Sequence, residues 1–192
     1  VTGFIIHLLR HGPPLRSGLM LGHTDLPPLD ARCLALSARV RSLAVERIVT
    51  SDLSRAAHSG EYLARETRLP LRRDPRWREL DFGAWDGLAP EALDKGALSR
   101  FWADPDANPP PDGESWTGLR ARIAEALADL TGPVLVVTHA GAMRAALSVL
   151  TGLDHRGVWA LDLPYHALLS LRVWPGSPMT GQVVGLAAGA PG

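Results

Sequence analysis

The sequence predicts an α/β fold: a three-layer α/β/α sandwich around a mostly parallel central sheet. Three observations lead there. Val134-Leu135-Val136-Val137 is an unbroken apolar run with three valines, which suits a strand covered on both faces. Strand-like runs alternate with helical periodicity, as strand–helix–strand–helix early and helix–strand–helix later. Residues able to handle an anion follow three of the strands: Arg10-His11-Gly12, Ser51 to Arg55, and Thr138 to Gly141. Open α/β sheets place their ligands beyond the carboxyl ends of strands.

The elements follow in order. Phe4 to Leu9 reads as a buried strand with His7 in its packing. Gly12 to Pro28 carries Pro13-Pro14, Gly18, Gly22 and Pro27-Pro28, the composition of a loop. Asp30 is placed to cap a helix on which Cys33, Leu36, Val40 and Leu43 recur at helical spacing. Arg47 to Thr50 is a second strand. Ser51 or Asp52 then caps a helix presenting Leu53, Ala56, Ala57, Gly60, Leu63 and Ala64. Leu69-Pro70-Leu71 makes a brief edge strand, and Trp77 to Gly87 has no clear period. Pro90 to Trp102 has a weak helical pattern. Asp104 to Gly113 is a loop with prolines at 109–111. From about Glu114 a stronger helix shows Trp116, Leu119, Ile123, Leu127 and Leu130 on one side, ending at Gly132-Pro133. A further helix runs from Gly141 to Leu150, closed by Thr151-Gly152. Val158–Leu163, Ala167–Val173 and Gln182–Leu186 read as late strands, with antiparallel pairing allowed. Ala187 to Gly192 reads as a mobile tail. With no repeat or linker, the expectation is one domain over 1–192, with a cap segment at about 84–113.

Composition excludes some function classes. The chain has 20 basic and 20 acidic residues among 192, so no global charge favours nucleic acid or an anionic membrane. An anion site must come from local concentration of charge, here nearly all arginine, since Lys95 is the sole lysine. One cysteine, Cys33, forms no internal disulfide and fits a reducing compartment. There is no basic-then-apolar opening segment and no run of 18 apolar residues, so a soluble cytoplasmic protein is expected. The histidines lack metal-ligand spacing, and no P-loop, dinucleotide fingerprint or Gly-x-Ser-x-Gly elbow is present. No metal and no cofactor is expected. Partners reduce to a small molecule, with a homodimer left open.

The chemistry of the three strand-end segments is that of phosphate. A neutral imidazole at His11 is a competent nucleophile toward phosphorus, and Gly12 lets the backbone approach a ligand closely. Arg10 and Arg55 each offer a planar fork to phosphate oxygens. His139 as an imidazolium adds a third cation, its pKa raised by a dianion. A leaving alkoxide needs a proton, and Glu79 and Asp81 in Arg78-Glu79-Leu80-Asp81-Phe82-Gly83-Ala84-Trp85-Asp86-Gly87 are both candidates. Spacing does not choose between them. Trp77, Trp85, Trp102 and Trp116 read as packing near the cap, with room for one of them to line the pocket.

Assembled, these residues resemble the histidine phosphatase superfamily, also called phosphoglycerate mutase-like, from Ile5 to about Val173. Leu9-Arg10-His11-Gly12 looks like its signature, supported by Ser51-x-Leu53-x-Arg55-Ala56 and Thr138-His139-x-Gly141. The resemblance implies the phosphoglycerate mutase-like fold and a phosphohistidine on His11. It implies a phosphate pocket of Arg10, Arg55 and His139, and Glu79 as the acid through the pattern Glu79, Gly83, Gly87. It also puts Ser17 and Gly22 at substrate-binding positions. The segments 78–87 and 110–115 look like the α-ribazole phosphatase branch. The implied activity is hydrolysis of a small phosphate monoester, α-ribazole phosphate being one candidate. The alternatives are a phosphoglycerate mutase-type phosphotransferase or a non-catalytic phospho-ligand binder. The chain departs from the family pattern at Pro13-Pro14, Ser17, Asp30, Cys33 and Ala140.

Overall fold

A six-stranded sheet of order β3-β2-β4-β1-β5-β6 divides the molecule. Its strands are β1 (Phe4–Arg10), β2 (Arg47–Thr50), β3 (Leu71–Arg73), β4 (Val134–Thr138), β5 (Leu168–Trp174) and β6 (Thr180–Ala187). The first four run parallel; β5 pairs antiparallel with β1, and β6 antiparallel with β5, at one side. The computed structural model describes residues 2–32 and 34–188. Cys33 and positions 189–192 of the tail lie outside the described residues, whereas Ala187 closes β6.

Strand alternation assigns the two faces. Ile6, Leu8, Val49, Val134 and Val136 face one way and pack on α4 (Trp116–Ala128) and α5 (Ala140–Thr151). Leu9, Ile48, Leu135 and Val137 face the other way, toward α1 (Leu34–Arg41) and α2 (Ser54–Thr67). Every residue of β4 is buried, so its apolar run without alternation is what two covered faces demand. This is the three-layer sandwich the sequence predicts.

Several local expectations give way to other interactions. The Asp30 carboxylate accepts the N–H of Arg32; its expected cap on α1 involves Cys33 and lies outside the described residues. The cap of α2 comes from outside the helix. Leu53 is its N-cap without a side-chain bond, and Asp25 of the first loop accepts both the N–H and the hydroxyl of Ser54. The weak helix after Pro90 resolves into a 3-10 turn at Pro90–Ala92 and α3 (Lys95–Ala103), capped by Asp94. The segment Val158–Leu163 is not a strand. Asp154 accepts the Gly157 N–H and starts the short α6 (His155–Trp159), and the Val158 side chain is fully buried in the core. A capped turn with a buried apolar residue here outweighs β propensity.

Helix α2 lies close to β2 because of Gly60. A Cβ at that position would stand 2.9 Å from Thr50 Cβ. Replacing this glycine sets better helix propensity, worth under about 1 kcal/mol, against overpacking that costs about 1–3 kcal/mol. The close approach to a buried strand decides the sign. Gly60→Val is expected to lose about 1–3 kcal/mol of stability, read as a lowered urea midpoint at unchanged slope.

Candidate active site

Parallel pairing brings the three strand ends together. Arg10 pairs with Thr138 in the ladder of β1 with β4, and Thr50 pairs with Val137 in that of β2 with β4. Just past the last rungs, His11 N–H donates to Thr138 O and Ser51 N–H to Val137 O, each at 2.9 Å.

His11 is 5% exposed. Its Nδ1 lies 2.6 Å from the carbonyl oxygen of Gly12. A carbonyl only accepts, so Nδ1 carries the proton and Nε2 keeps its lone pair. Burial, then the charge of Arg55, outweighs that bond and pushes the His11 pKa well below 6.5. The imidazole is therefore neutral at pH 7. A Cβ at Gly12 would meet His166 Nε2 at 2.4 Å, so any side chain there displaces that ring.

His139, fully buried, takes the N-cap position of α5 with Nε2 at 2.9 Å from Ser51 Oγ. Its Nδ1 is buried and without a hydrogen-bond partner. The two imidazoles stand edge-on, 4.9 Å between centroids. Burial, then Arg55, lowers the His139 pKa well below 6.5 as well. The imidazolium expected from the sequence thus depends on a dianion acting in the opposite direction.

Arg55, in the first turn of α2, is 1% exposed. Its guanidinium donates to the carbonyls of Thr24 at 2.9 Å, Leu21 at 3.1 Å and Gly22 at 2.6 Å. Arg10 donates to Leu163 O at 2.6 Å and lies 4.2 Å above the Tyr165 ring, with Nε buried and without a partner.

Glu79 faces this group from the opposite side. Its Oε1 accepts the Leu80 N–H at 2.9 Å, and its Oε2 accepts the Gly141 N–H of the first turn of α5 at 3.0 Å. Gly141 admits it, since a Cβ there would fall 2.0 Å from Oε1. Asp81 goes elsewhere: it accepts the Gly83 N–H and faces His23 at 3.5 Å.

Arg10, His11, Arg55 and Glu79 line one cavity of about 200 Å³. His139 adjoins it through His11. Gly22 sits behind the wall, its N–H on Asp86, where a Cβ would meet Leu80 O at 2.5 Å. Ser17 does not join the group; it is exposed on the first loop and lines no part of the cavity. Three residues escaped the sequence reading. Arg144 lines the cavity one helical turn after Ala140, a spacing that carried the signal. Tyr165 comes from a loop with no pattern at all. Trp159 is the third; it forms an apolar wall with Met20, Phe82, Phe101 and Trp102, the last among the tryptophans of which the sequence allows one in the pocket. Glu79 is the one carboxylate in a lining that holds three arginines, so the cavity attracts anions. Among the described residues no group of three or more His, Cys, Asp or Glu is arranged to hold a metal ion.

The profile of the histidine phosphatase superfamily (branch 1) matches residues 6–183. The chain is similar to the adenosylcobalamin/alpha-ribazole phosphatase of Escherichia coli (strain K12), with 25% identity over 79% of this chain and 81% of that protein. It is 30% identical to a probable phosphoglycerate mutase of Yersinia pestis (strain Pestoides F), over 88% of this chain and 80% of that one. A solved mycobacterial glucosyl-3-phosphoglycerate phosphatase superposes with a TM-score of 0.87 at 25% identity, covering 97% of this chain and 100% of that chain.

The two buried imidazoles make stability depend on pH. Both are neutral in the native state, whereas in the unfolded chain each takes up a proton as pH falls through 6.5. The unfolded state then binds more protons, so stability falls with falling pH until the native pKa values are reached. Urea unfolding is expected to lose about 1.4 kcal/mol per pH unit per histidine below pH 6. His139→Gln is expected to remove about half of the slope these two contribute.

Proposed function

The chain belongs to the histidine phosphatase superfamily (branch 1), and on that premise we propose that it hydrolyses small phosphate monoesters through a phosphohistidine on His11. The observation that carries this reading is the Nδ1–H···O=C bond of His11 to Gly12, which leaves Nε2 as a lone-pair donor beside two arginines and opposite a carboxyl. His11 Nε2 attacks phosphorus, and the bond to the leaving oxygen breaks. Arg10, Arg55 and His139 stabilise the charge spread over the transferring group. Glu79, protonated, supplies the leaving oxygen with its proton, then takes one from the water that attacks the phosphohistidine and restores both residues.

The rest of the cavity bears on the substrate. Leu19, Met20, Phe82, Trp102 and Trp159 give it an apolar wall, which supports an apolar or aromatic leaving group. Phe101 and Trp102 come from α3, which supports a cap at about 84–113 over a single catalytic domain. With the name borne by the E. coli relative, α-ribazole phosphate is the first metabolite to test. Helices long and apolar enough to cross a membrane are absent among the described residues. A cytoplasmic setting fits the single cysteine.

A mutase-type phosphotransferase uses the same core residues, and the Yersinia relative bears that name. Against it, the stretch 88–102 holds only Lys95 and Arg100 as bases for a second acidic group. Release of free phosphate without a bisphosphorylated primer separates the two.

Turnover is expected to trap acid-labile, base-stable phosphate on the native protein and none on His11→Ala, which also loses hydrolysis. Retained turnover in that variant would reject the reading. Trp102→Ala is expected to raise KM for aryl phosphates by up to about tenfold, since an aromatic contact is worth about 0.5–1.5 kcal/mol. Steady-state kinetics with aryl and small alkyl phosphates measure it.

A further inference from the structure

The motif Gly113-Glu114-Ser115 is not used by the chemistry above. Ser115 caps α4, accepting the Gly118 N–H at 3.0 Å. Glu114 does something different. Standing just before that helix, its carboxylate grips a guanidinium from the second turn: Arg122 Nε donates to Oε1 at 2.9 Å and Nη2 to Oε2 at 2.7 Å. The outer edge of that guanidinium is turned to a single stretch of backbone. Nη1 donates to Arg76 O at 2.7 Å and Arg78 O at 2.9 Å, and Nη2 donates to Glu79 O at 2.9 Å.

These contacts engage all five N–H donors of an arginine. None is left over for a phosphate oxygen, and Arg122 does not line the cavity. It differs in this from Arg10, whose Nε is unpartnered.

The stretch it holds has reason to need holding. Arg78 to Phe82 lies between two 3-10 turns and belongs to no helix or strand, so its carbonyls have no ladder to satisfy them. A rigid fork of donors replaces that ladder. Glu114 adds a second tie through its own backbone, since its N–H donates to Asp81 O at 2.9 Å. The backbone around Glu79 is thereby tied at the carbonyls of Arg76, Arg78, Glu79 and Asp81, the Glu79 carbonyl also meeting His23 Nε2 at 3.1 Å. With the backbone fixed, the N–H groups of Leu80 and Gly141 aim the carboxyl. A group that must deliver a proton in the transition state tolerates only small displacement.

We propose that Arg122, oriented by Glu114, is a positioning residue for Glu79 as the proton donor. This rests on the proposed phosphatase mechanism. A lysine at 122 has one point of charge and no planar fork, so it does not replace the arginine.

The test uses leaving groups of different basicity. An alkyl phosphate needs the acid, whereas 2,4-dinitrophenyl phosphate releases a stable anion without it. The readout is the ratio of kcat/KM for the alkyl substrate to that for the dinitrophenyl substrate. Partial unfolding lowers both values alike and leaves the ratio unmoved. Glu79→Gln is expected to lower the ratio about 100-fold or more, the usual contribution of a general acid. Arg122→Met is expected to lower it at least about tenfold, and Glu114→Gln in the same direction by less. In Glu79→Gln/Arg122→Met the ratio falls no further than in Glu79→Gln alone. An unchanged ratio in Arg122→Met, with the Glu79 effect present, overturns the proposal and leaves the phosphatase mechanism standing. An unchanged ratio in Glu79→Gln rejects the acid assignment and this role of Arg122 with it.

Discussion

The register of β1 on β4 is the constraint on which the site depends. Because Arg10 lies opposite Thr138 and the strands are parallel, both chains leave the sheet at the same level. His11 and His139 then follow as immediate successors and stand 4.9 Å apart. A slip of one residue reverses the face of every side chain on a strand. It would turn Ile6 and Leu8 away from α4 and α5 and send His11 to the wrong side. The core therefore enforces the register, since Ile6, Leu8, Val134 and Val136 are all fully buried. The geometry of the site is a by-product of packing that the molecule needs in any case.

A second constraint is electrostatic. Burying Arg55 is costly, and burial is the first cause lowering its pKa. Its three hydrogen bonds go to carbonyl oxygens rather than to a carboxylate. Neutral acceptors take three of its five N–H donors, no carboxylate is bonded to it, and Glu79, Asp86 and Asp25 act on its charge only through space. Both histidines feel that charge, which is the second cause of their depressed pKa values. The site is thus strongly biased toward an anion, with neutral imidazoles and fixed cations.

Much of this was legible in the sequence. The strand runs at 4–9, 47–50 and 134–137 are apolar enough to be unambiguous, and their successors located Arg10, His11, Arg55 and His139. What escaped reading depends on contacts between distant segments. Asp25 caps a helix that begins 29 residues later, and no local rule points there. Val158–Leu163 carries a β-like composition overridden by the Asp154 cap. Glu79 and Asp81 are indistinguishable by spacing; in the structure Glu79 lines the cavity on the Gly141 N–H, while Asp81 turns to Gly83 and His23. Tyr165 reaches Arg10 from a loop without period.

The loop at 21–24 serves Arg55 through main-chain oxygens alone, much as water would solvate a free ion. Its other side is strapped to Asp86, which accepts the N–H groups of Gly22, His23 and Thr24. Side-chain identity at positions 21, 23 and 24 is therefore not what holds the cation. The side chains of Leu19 and Met20 just upstream, and of Leu21 itself, wall the cavity. The architecture separates two kinds of change: the wall is free to be rewritten for a different guest, while the ion's surroundings stay constant. Such a division makes one chemical engine adaptable to many cargoes by editing a few adjacent letters.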